Sequence, residues 1–304
     1  LRFSGRVERL TEIEAYDPDR VSIVWHDLRA PIHEQLKETI GDVNYIVNMA
    51  SDSHVDRSIT HPVPFVQNNV NLVLNMLEYA RDIQPEKFIQ ISTDEVYGPA
   101  PYGHSHQEGE VLRPSNPYSA SKASQEMIAF SYWRTYGVPL IVTNTMNNFG
   151  ERQHPEKYVP MVMKRILHKE KIEVHGKERE DGNWDIGARV WLHARNHADA
   201  VQHILNNVNV LEYDDDTPEP ERFNIAGEKE INNLEIVEMI ADIFQMKPHY
   251  ELVDFHSSRP GHDLRYSLDG SKLKEYGWDA PMTLEESFER TVNWTLKHPE
   301  WLTE

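Results

Sequence analysis

The chain has 304 residues, of which 31 are Lys or Arg and 50 are Asp or Glu, so its formal net charge is −19. A surplus of that size repels phosphate backbones and argues against nucleic acid or an anionic membrane as partner. It contains no cysteine, which excludes a disulfide framework and a thiolate metal site and makes the cytoplasm the expected compartment. No apolar run approaches the roughly 20 residues of a membrane-spanning helix, and the N-terminal LRFSGRVERL lacks the apolar stretch of a signal peptide.

In chain order, residues 21–25 (VSIVW) read as a short strand, followed by His26-Asp27-Leu28 and a polar helix-like stretch over 31–40. A buried-strand pattern at 45–49 leads into a helical pattern over 62–81. Strand and helix alternate again with 88–91, 118–136 and 140–142. Short apolar strands separated by helices predict an α/β fold: a doubly wound, Rossmann-like parallel sheet with helices on both faces. After Asn148 the alternation loosens, with a glycine-bearing loop over 175–187, a return strand near 189–193, and helical patterns at 234–244 and 284–296. The expected division is a cofactor domain of residues 1–147 and 189–230 and a smaller α+β substrate lobe of 148–188 and 231–304. Asp214-Asp215-Asp216, flanked by prolines, reads as a solvated loop.

A doubly wound dinucleotide fold normally opens with a strand, a glycine-rich turn and a helix that receives the pyrophosphate. Here Gly5 stands alone and Gly41 precedes a strand. The expectation is that one further strand-helix-strand unit, ~30–40 residues, precedes Leu1.

Tyr118 and Lys122 form Tyr-x-x-x-Lys at the start of a helix, so both project from one face. An ammonium beside a phenol stabilises phenolate and lowers its pKa toward that of a general base. Some 25 residues upstream, a strand ends in Ser92-Thr93-Asp94-Glu95-Val96-Tyr97-Gly98. The carboxyl end of a parallel strand is where ligands bind, and a hydroxyl with two adjacent carboxylates can polarise an oxygen, donate a proton and remove one. His104 and His106 lie in Gly-His-Ser-His and read as part of a polar loop, with no further ligand recognised nearby. No metal site is expected. His193 and His197 likewise lack an acidic partner at metalloprotease spacing.

The Ser-Thr-Asp-Glu-Val-Tyr-Gly segment, Tyr118-Ser-Ala-Ser-Lys122, Ser53-His54-Val55-Asp56-Arg57, Asn147-Asn148-Phe149-Gly150 with Pro155-Glu156-Lys157, and Arg259-Pro260-Gly261-His262-Asp263 occur in this order. Together they resemble the dTDP-glucose 4,6-dehydratase family over essentially the whole chain. The resemblance implies an NAD-dependent lyase in which Tyr118 takes the proton of the sugar 4-hydroxyl as hydride leaves C4 for NAD. Lys122 would then hold the nicotinamide ribose and Thr93 the same sugar oxygen. Glu95 would remove the C5 proton, and Asp94 would protonate the departing 6-hydroxyl. It further implies cofactor contacts at Asp27, Leu28, Ala50, Ser51 and Asn69, and contacts to a nucleotide-diphosphate sugar at His54, Asn148, Lys157, Arg189, Asn224, Arg259 and His262. A homodimer built on the helices over 62–81 and 118–136 is implied as well. The chain departs from the family pattern between Gly176 and Ala198, where it carries an acidic insertion and reads Arg189-Val-Trp-Leu-His193 in place of Arg-Asp-Trp. The competing readings are an NAD-dependent epimerase or decarboxylase of the same fold, against which Asp94-Glu95 speaks, and a non-catalytic nucleotide-sugar-binding remnant.

Overall fold

In a computed structural model of the chain, residues 5–214, 216–254 and 263–303 are described. Four parallel strands form the central sheet in the order β1 (Tyr45–Asn48), β2 (Lys87–Thr93), β3 (Leu140–Thr145), β9 (Glu221–Ile225). Pairing is in register, with Phe88 opposite Leu140 and Thr143 opposite Phe223. Alternation along each strand builds two cores. Phe88, Leu140 and Val142 point to a layer made by α4 (Pro62–Ile83) and α5 (Pro117–Tyr136), where they meet Leu77, Ala129 and Trp133. Ile89, Ile91 and Ile141 point the other way, to Ala200, Val201 and Ile204 of α7 (Ala194–Asn207). A period of two along strands and of 3.6 along helices thus yields three layers.

Ahead of β1 lie α1 (Glu8–Thr11) and α2 (Glu34–Ile40), and α3 (Val55–Thr60) falls between β1 and α4. The strand expected at 21–25 does not form. These residues have no regular structure and Ile23, Val24 and Trp25 are exposed, because no strand among the described residues receives their backbone groups and β-propensity needs such a partner.

The second lobe gathers around Phe149 in β4 (Asn148–Phe149), which stacks on Phe288 with ring centroids 4.3 Å apart. Its core adds Val162 and Met163 of α6 (Tyr158–His168), Ile236 and Ile240 of α8 (Asn233–Phe244), and Leu284 and Val292 of the last long helix, Leu284–Lys297. The loop expected over 175–187 is instead a hairpin of β5 (Ile172–Glu178) and β6 (Trp184–Ile186), and β11 (Tyr250–Asp254) lies parallel to β5. Asp181 accepts from the Asn183 backbone N–H at 2.9 Å and Gly182 takes φ +80, which closes the turn. The return segment is two short pieces, β7 (Ala188–Arg189), paired with β10 (Ile231–Asn232), and β8 (Leu192–His193), paired with β4. Leu273 of the short helix Ser271–Glu275 and Trp278 pack into the sheet's core, so residues expected in the substrate lobe cross back to the first.

Behind the carboxyl ends of β2 and β3, Arg222 donates to Glu126 and to Asn144, each at 2.7 Å, and Asn144 donates to Glu126 at 2.8 Å and to the Thr93 carbonyl at 3.2 Å. Arg222 is 6% exposed and Glu126 fully buried. A buried pair contributes little against an apolar replacement of both partners, but removing one strands a charge. Arg222→Met should therefore lower stability by about 3–5 kcal/mol, seen as a lower urea midpoint at unchanged slope; a loss below about 1 kcal/mol would mean that Glu126 is neutral or hydrated when alone.

Candidate active site

The site forms where β1, β2 and β3 end. Strand β2 stops at Thr93, and Asp94–Tyr97 turn into a single 3-10 turn closed by Gly98. Gly98 has φ +80 and sits where a Cβ would collide with the Arg113 carbonyl oxygen, so only glycine lets the chain leave the strand here. Helix α5 starts beside this turn. Asn116 caps it by accepting from Ser119 N at 2.9 Å, Ser119 answers with a bond to Asn116 N at 3.1 Å, and Pro117 occupies the first turn. The cap's amide nitrogen donates to Glu95 Oε2 at 3.2 Å, while Tyr118 N donates to Ser58 Oγ at 3.1 Å. One residue thus fixes both the helix start and the carboxylate facing it.

Thr93 is 7% and Asp94 3% exposed. The Thr93 hydroxyl donates to Asp94 Oδ1 at 2.8 Å, and Asp94 Oδ2 is buried without a partner among the described residues. Burial pushes the Asp94 carboxyl up to about 6, against the Thr93 hydrogen bond and the Arg189 charge, which both pull it down. An aspartic acid so held carries its proton in mildly acidic solution, as a proton donor requires.

The Tyr118 phenol lies within reach of the Thr93 hydroxyl and feels the charges of Glu95 and Asp94. Burial raises it, Glu95 raises it further, the Thr93 contact lowers it and Asp94 raises it. Lys122 is not among these influences, contrary to the sequence expectation. Its ammonium, 4% exposed, is drawn to the Ile91 carbonyl and Gln125 Oε1, each at 2.7 Å. Burial lowers Lys122 to about 8, with Glu126 opposing.

Gln125 also donates to the Asn69 carbonyl at 2.8 Å, and Asn69 ties the segment after β1 to α5 through Asp52 N at 2.7 Å and Ser121 Oγ at 2.8 Å. Ala50 and Ser51 lie in this pinned segment just after β1. Asp27 and Leu28 are placed on an irregular segment: Asp27 grips Arg29, and the Leu28 carbonyl accepts from Asn75 at 2.7 Å.

On the substrate side, His54 caps α3 through Arg57 N at 3.4 Å and lies 3.6 Å from Glu156, with burial lowering its pKa. Lys157 begins α6, its pKa lowered by burial, and it feels the Glu95 carboxylate. Asn148 donates to Thr145 Oγ1 at 3.2 Å and keeps its Oδ1 buried without a partner. Arg189 lies 4.5 Å over the Tyr266 ring and donates to the carbonyls of Leu264 and Asp263 at 2.7 and 2.8 Å. Of these four residues, Lys157 acts on the Glu95 carboxylate and Arg189 on the Asp94 carboxyl, while His54, at the start of α3, faces Glu156. Asn224 is fully buried, donates to the His106 carbonyl at 2.9 Å and lies 3.4 Å from the Tyr97 hydroxyl, so it supports the site from behind. Arg259 and His262 lie outside the described residues.

The sequence reading missed Asn116, Ser58, Gln125 and Glu126. Asn116 was legible as an Asn-Pro helix start. Gln125 and Glu126 lie one turn beyond Lys122, on a face whose burial no periodicity announces.

A family model described as GDP-mannose 4,6 dehydratase matches residues 2–291. The chain belongs to the nucleotide-sugar 4,6-dehydratase family. Among curated members, the low-salt glycan biosynthesis protein Agl12 of Haloferax volcanii is 36% identical over 263 residues, covering 86% of this chain and 79% of that protein. A dTDP-glucose 4,6-dehydratase of Escherichia coli is 32% identical over 326 aligned positions, covering 99% and 85%. The crystal structure of dTDP-glucose 4,6-dehydratase from Bacillus anthracis in complex with NAD superposes with a TM-score of 0.82 at 31% identity, covering 99% of this chain and 87% of that one. The fold class expected from the sequence, a Rossmann-like α/β sheet, is therefore that of the dehydratase family.

Because Arg189 lowers the Asp94 carboxyl, Arg189→Met should move its titration midpoint upward from about 6, followed by ¹³C NMR of labelled aspartate. A midpoint that stays put or falls would remove Arg189 from the field at Asp94.

Proposed function

We propose that this chain is an NAD-dependent nucleotide-sugar 4,6-dehydratase, converting a nucleotide-diphosphate glucose to its 4-keto-6-deoxy product, with dTDP-glucose, named in the relatives, as the first substrate to test. The observation that carries the reading is the convergence of Thr93, Asp94, Glu95 and Tyr118 on one strand end, with Asp94 and Glu95 held in different surroundings.

The residues present fit the nicotinamide side of NAD. Lys122 uses two of its three N–H groups within the protein, and Ala50 and Ser51 lie on a segment pinned by Asn69. When bound, NAD supplies the hydride acceptor and a cationic ring. Burial and the two carboxylates raise the Tyr118 phenol, so its taking the 4-hydroxyl proton as C4 is oxidised would depend on the cationic ring lowering it, with the Thr93 hydroxyl orienting that oxygen. The 4-ketone acidifies C5, whose proton passes to Glu95, held by Asn116. Asp94, with its raised pKa, gives a proton to the departing 6-hydroxyl, so water leaves across C5 and C6. Hydride returns to C6 and a proton to C5, and no cofactor is consumed. Lys157, Arg189, Arg259 and His262 would bind the diphosphate, Arg by paired donors, and His54 and Asn148 would border the sugar. Residues of 148–188 and 231–304, apart from the Leu273 and Trp278 return to the sheet's core, would supply most of these contacts.

Glu95→Gln should lower turnover by about 10²–10⁴ while C4 oxidation persists, so reduced nicotinamide absorbance builds up in a single turnover. Tyr118→Phe should bind nucleotide sugar and show no such signal. If Glu95→Gln turns over normally, the elimination role fails; if wild type oxidises glucose nucleotide without losing water, an epimerase takes its place; if it oxidises none, the binding remnant does.

The protein would work in the cytoplasm as a homodimer through α4 and α5. No helix among the described residues is long and apolar enough to cross a membrane, and Val63, Met127 and Tyr136 are exposed on the two helices at 62%, 48% and 41%. Light scattering at micromolar concentration should give twice the mass of the chain, and Met127→Lys should shift it toward the monomer. A strictly monomeric wild type would refute the dimer.

A further inference from the structure

The loop between Gly98 and α5 brings together three side chains that the proposed reaction does not use. His106 Nδ1 lies 2.7 Å from Glu110 Oε2, and His104 Nε2 lies 3.1 Å from Glu110 Oε1. The two rings stand edge to face, with centroids 5.0 Å apart and planes at 89°, so their nitrogens approach one carboxylate from different directions. One ligand atom from each residue falls within 4.8 Å of the others, the one such group of three among the described residues.

The surroundings hold two of the three in place. His106 is 8% exposed and stacks on Tyr97 at 5.3 Å. Its backbone is locked on both sides, N–H to the Ser267 carbonyl and carbonyl from Asp269 N–H, each at 2.9 Å. Glu110 Oε1 accepts from Gln107 N at 2.9 Å. His104 is exposed at the rim, and its carbonyl accepts from Arg265 at 2.6 Å.

The geometry points to a divalent transition-metal site of two imidazoles and one carboxylate, His104, His106 and Glu110, with a water-filled fourth position on the exposed side. Around tetrahedral Zn²⁺ with bonds of about 2.1 Å, ligand atoms are separated by about 3.4 Å. Measured to one oxygen, Oε2, the present separations are 2.7 Å from His106 Nδ1 and 3.3 Å from His104 Nε2, and the three ligand atoms lie within 4.8 Å of one another, so shifts of about 1 Å reach that spacing, within the swing of the exposed His104 ring. Nitrogen ligands select Zn²⁺ or Co²⁺ over Mg²⁺, which demands a shell of oxygens. Ligation through Nδ1 puts the His106 proton on Nε2, which is buried without a partner, and this weakens binding by about tenfold or more.

A cation here would close residues 104–110 on themselves, beside the segment at Ser267 that Ser105 touches at 2.8 Å, three residues beyond the Leu264 carbonyl that Arg189 grips. Its effect is mechanical stiffening of that strap, separate from the chemistry at Thr93 and Glu95.

The test uses tag-free full chain. After incubation with Zn²⁺ and gel filtration, one zinc per chain should remain, with a raised thermal midpoint, and Co²⁺ should give the visible absorption of a tetrahedral ion; Mg²⁺ should do neither. His104→Ala and Glu110→Gln should each weaken Zn²⁺ binding, in competition with a chelating dye, by about tenfold or more. Wild type that retains no zinc, or either variant binding it as wild type does, overturns the site. Neither outcome depends on dehydratase turnover.

Discussion

A lysine buried to 4% exposure, with its ammonium bonded to a carbonyl and an amide, is the constraint around which the site is arranged. Charge in a protein interior costs heavily unless hydrogen bonds replace the lost water. The Ile91 carbonyl comes from the central strand and the Gln125 amide from the same helix as Lys122, so accommodating the charge fixes α5 against β2. Gln125 extends the grip to α4 through the Asn69 carbonyl, and Asn48 donates to Gln90 at 2.8 Å in the same layer. These buried amides join β1, β2, α4 and α5. Burial lowers the Lys122 pKa to about 8, and Glu126, paired with Arg222, opposes this only from a distance.

The two carboxylates illustrate how one turn of backbone separates roles. Asp94 is sealed behind Thr93 and its carboxyl is raised by burial, with Arg189 limiting the rise. Glu95, one residue on, is partly exposed and is reached by the Asn116 amide. The 3-10 turn puts consecutive side chains on different sides of the strand end, a separation that a continuing strand would achieve only by facing one of them away from the site.

Much of this was legible in the sequence because the apolar runs of β2 and β3 and the lengths of α4 and α5 leave few alternatives. The Thr93-Asp94-Glu95 and Tyr118-x-x-x-Lys122 motifs could be joined because both fall at predictable ends of elements. The failures have physical causes. Residues 21–25 have strand composition and no strand beside them among the described residues. Strand β9 begins with Glu221 and Arg222, whose charges hide it, since Arg222 is buried only through Glu126. Helix α7 was overlooked because its polar majority masks Ala200, Val201 and Ile204. Asn224 was implied as a substrate contact by the family resemblance, yet its amide faces Tyr97 and His106, an orientation that sequence does not encode. Glu110 escaped notice as a neighbour of His104 and His106 because the turn that brings it back has no marker beyond Gly109, which takes φ +85.

Asn116 carries a consequence for how variants of this enzyme would be judged. Its side chain caps α5 with one end and restrains Glu95 with the other. Aspartate is as good a helix cap as asparagine, so an Asn116→Asp chain would melt almost like the parent. The new carboxylate would nevertheless repel Glu95 instead of donating to it. Thermal screening would pass such a protein as intact, although the group facing the substrate had been turned away. At this position fold quality and chemical competence are separable properties, and only a functional assay can tell them apart.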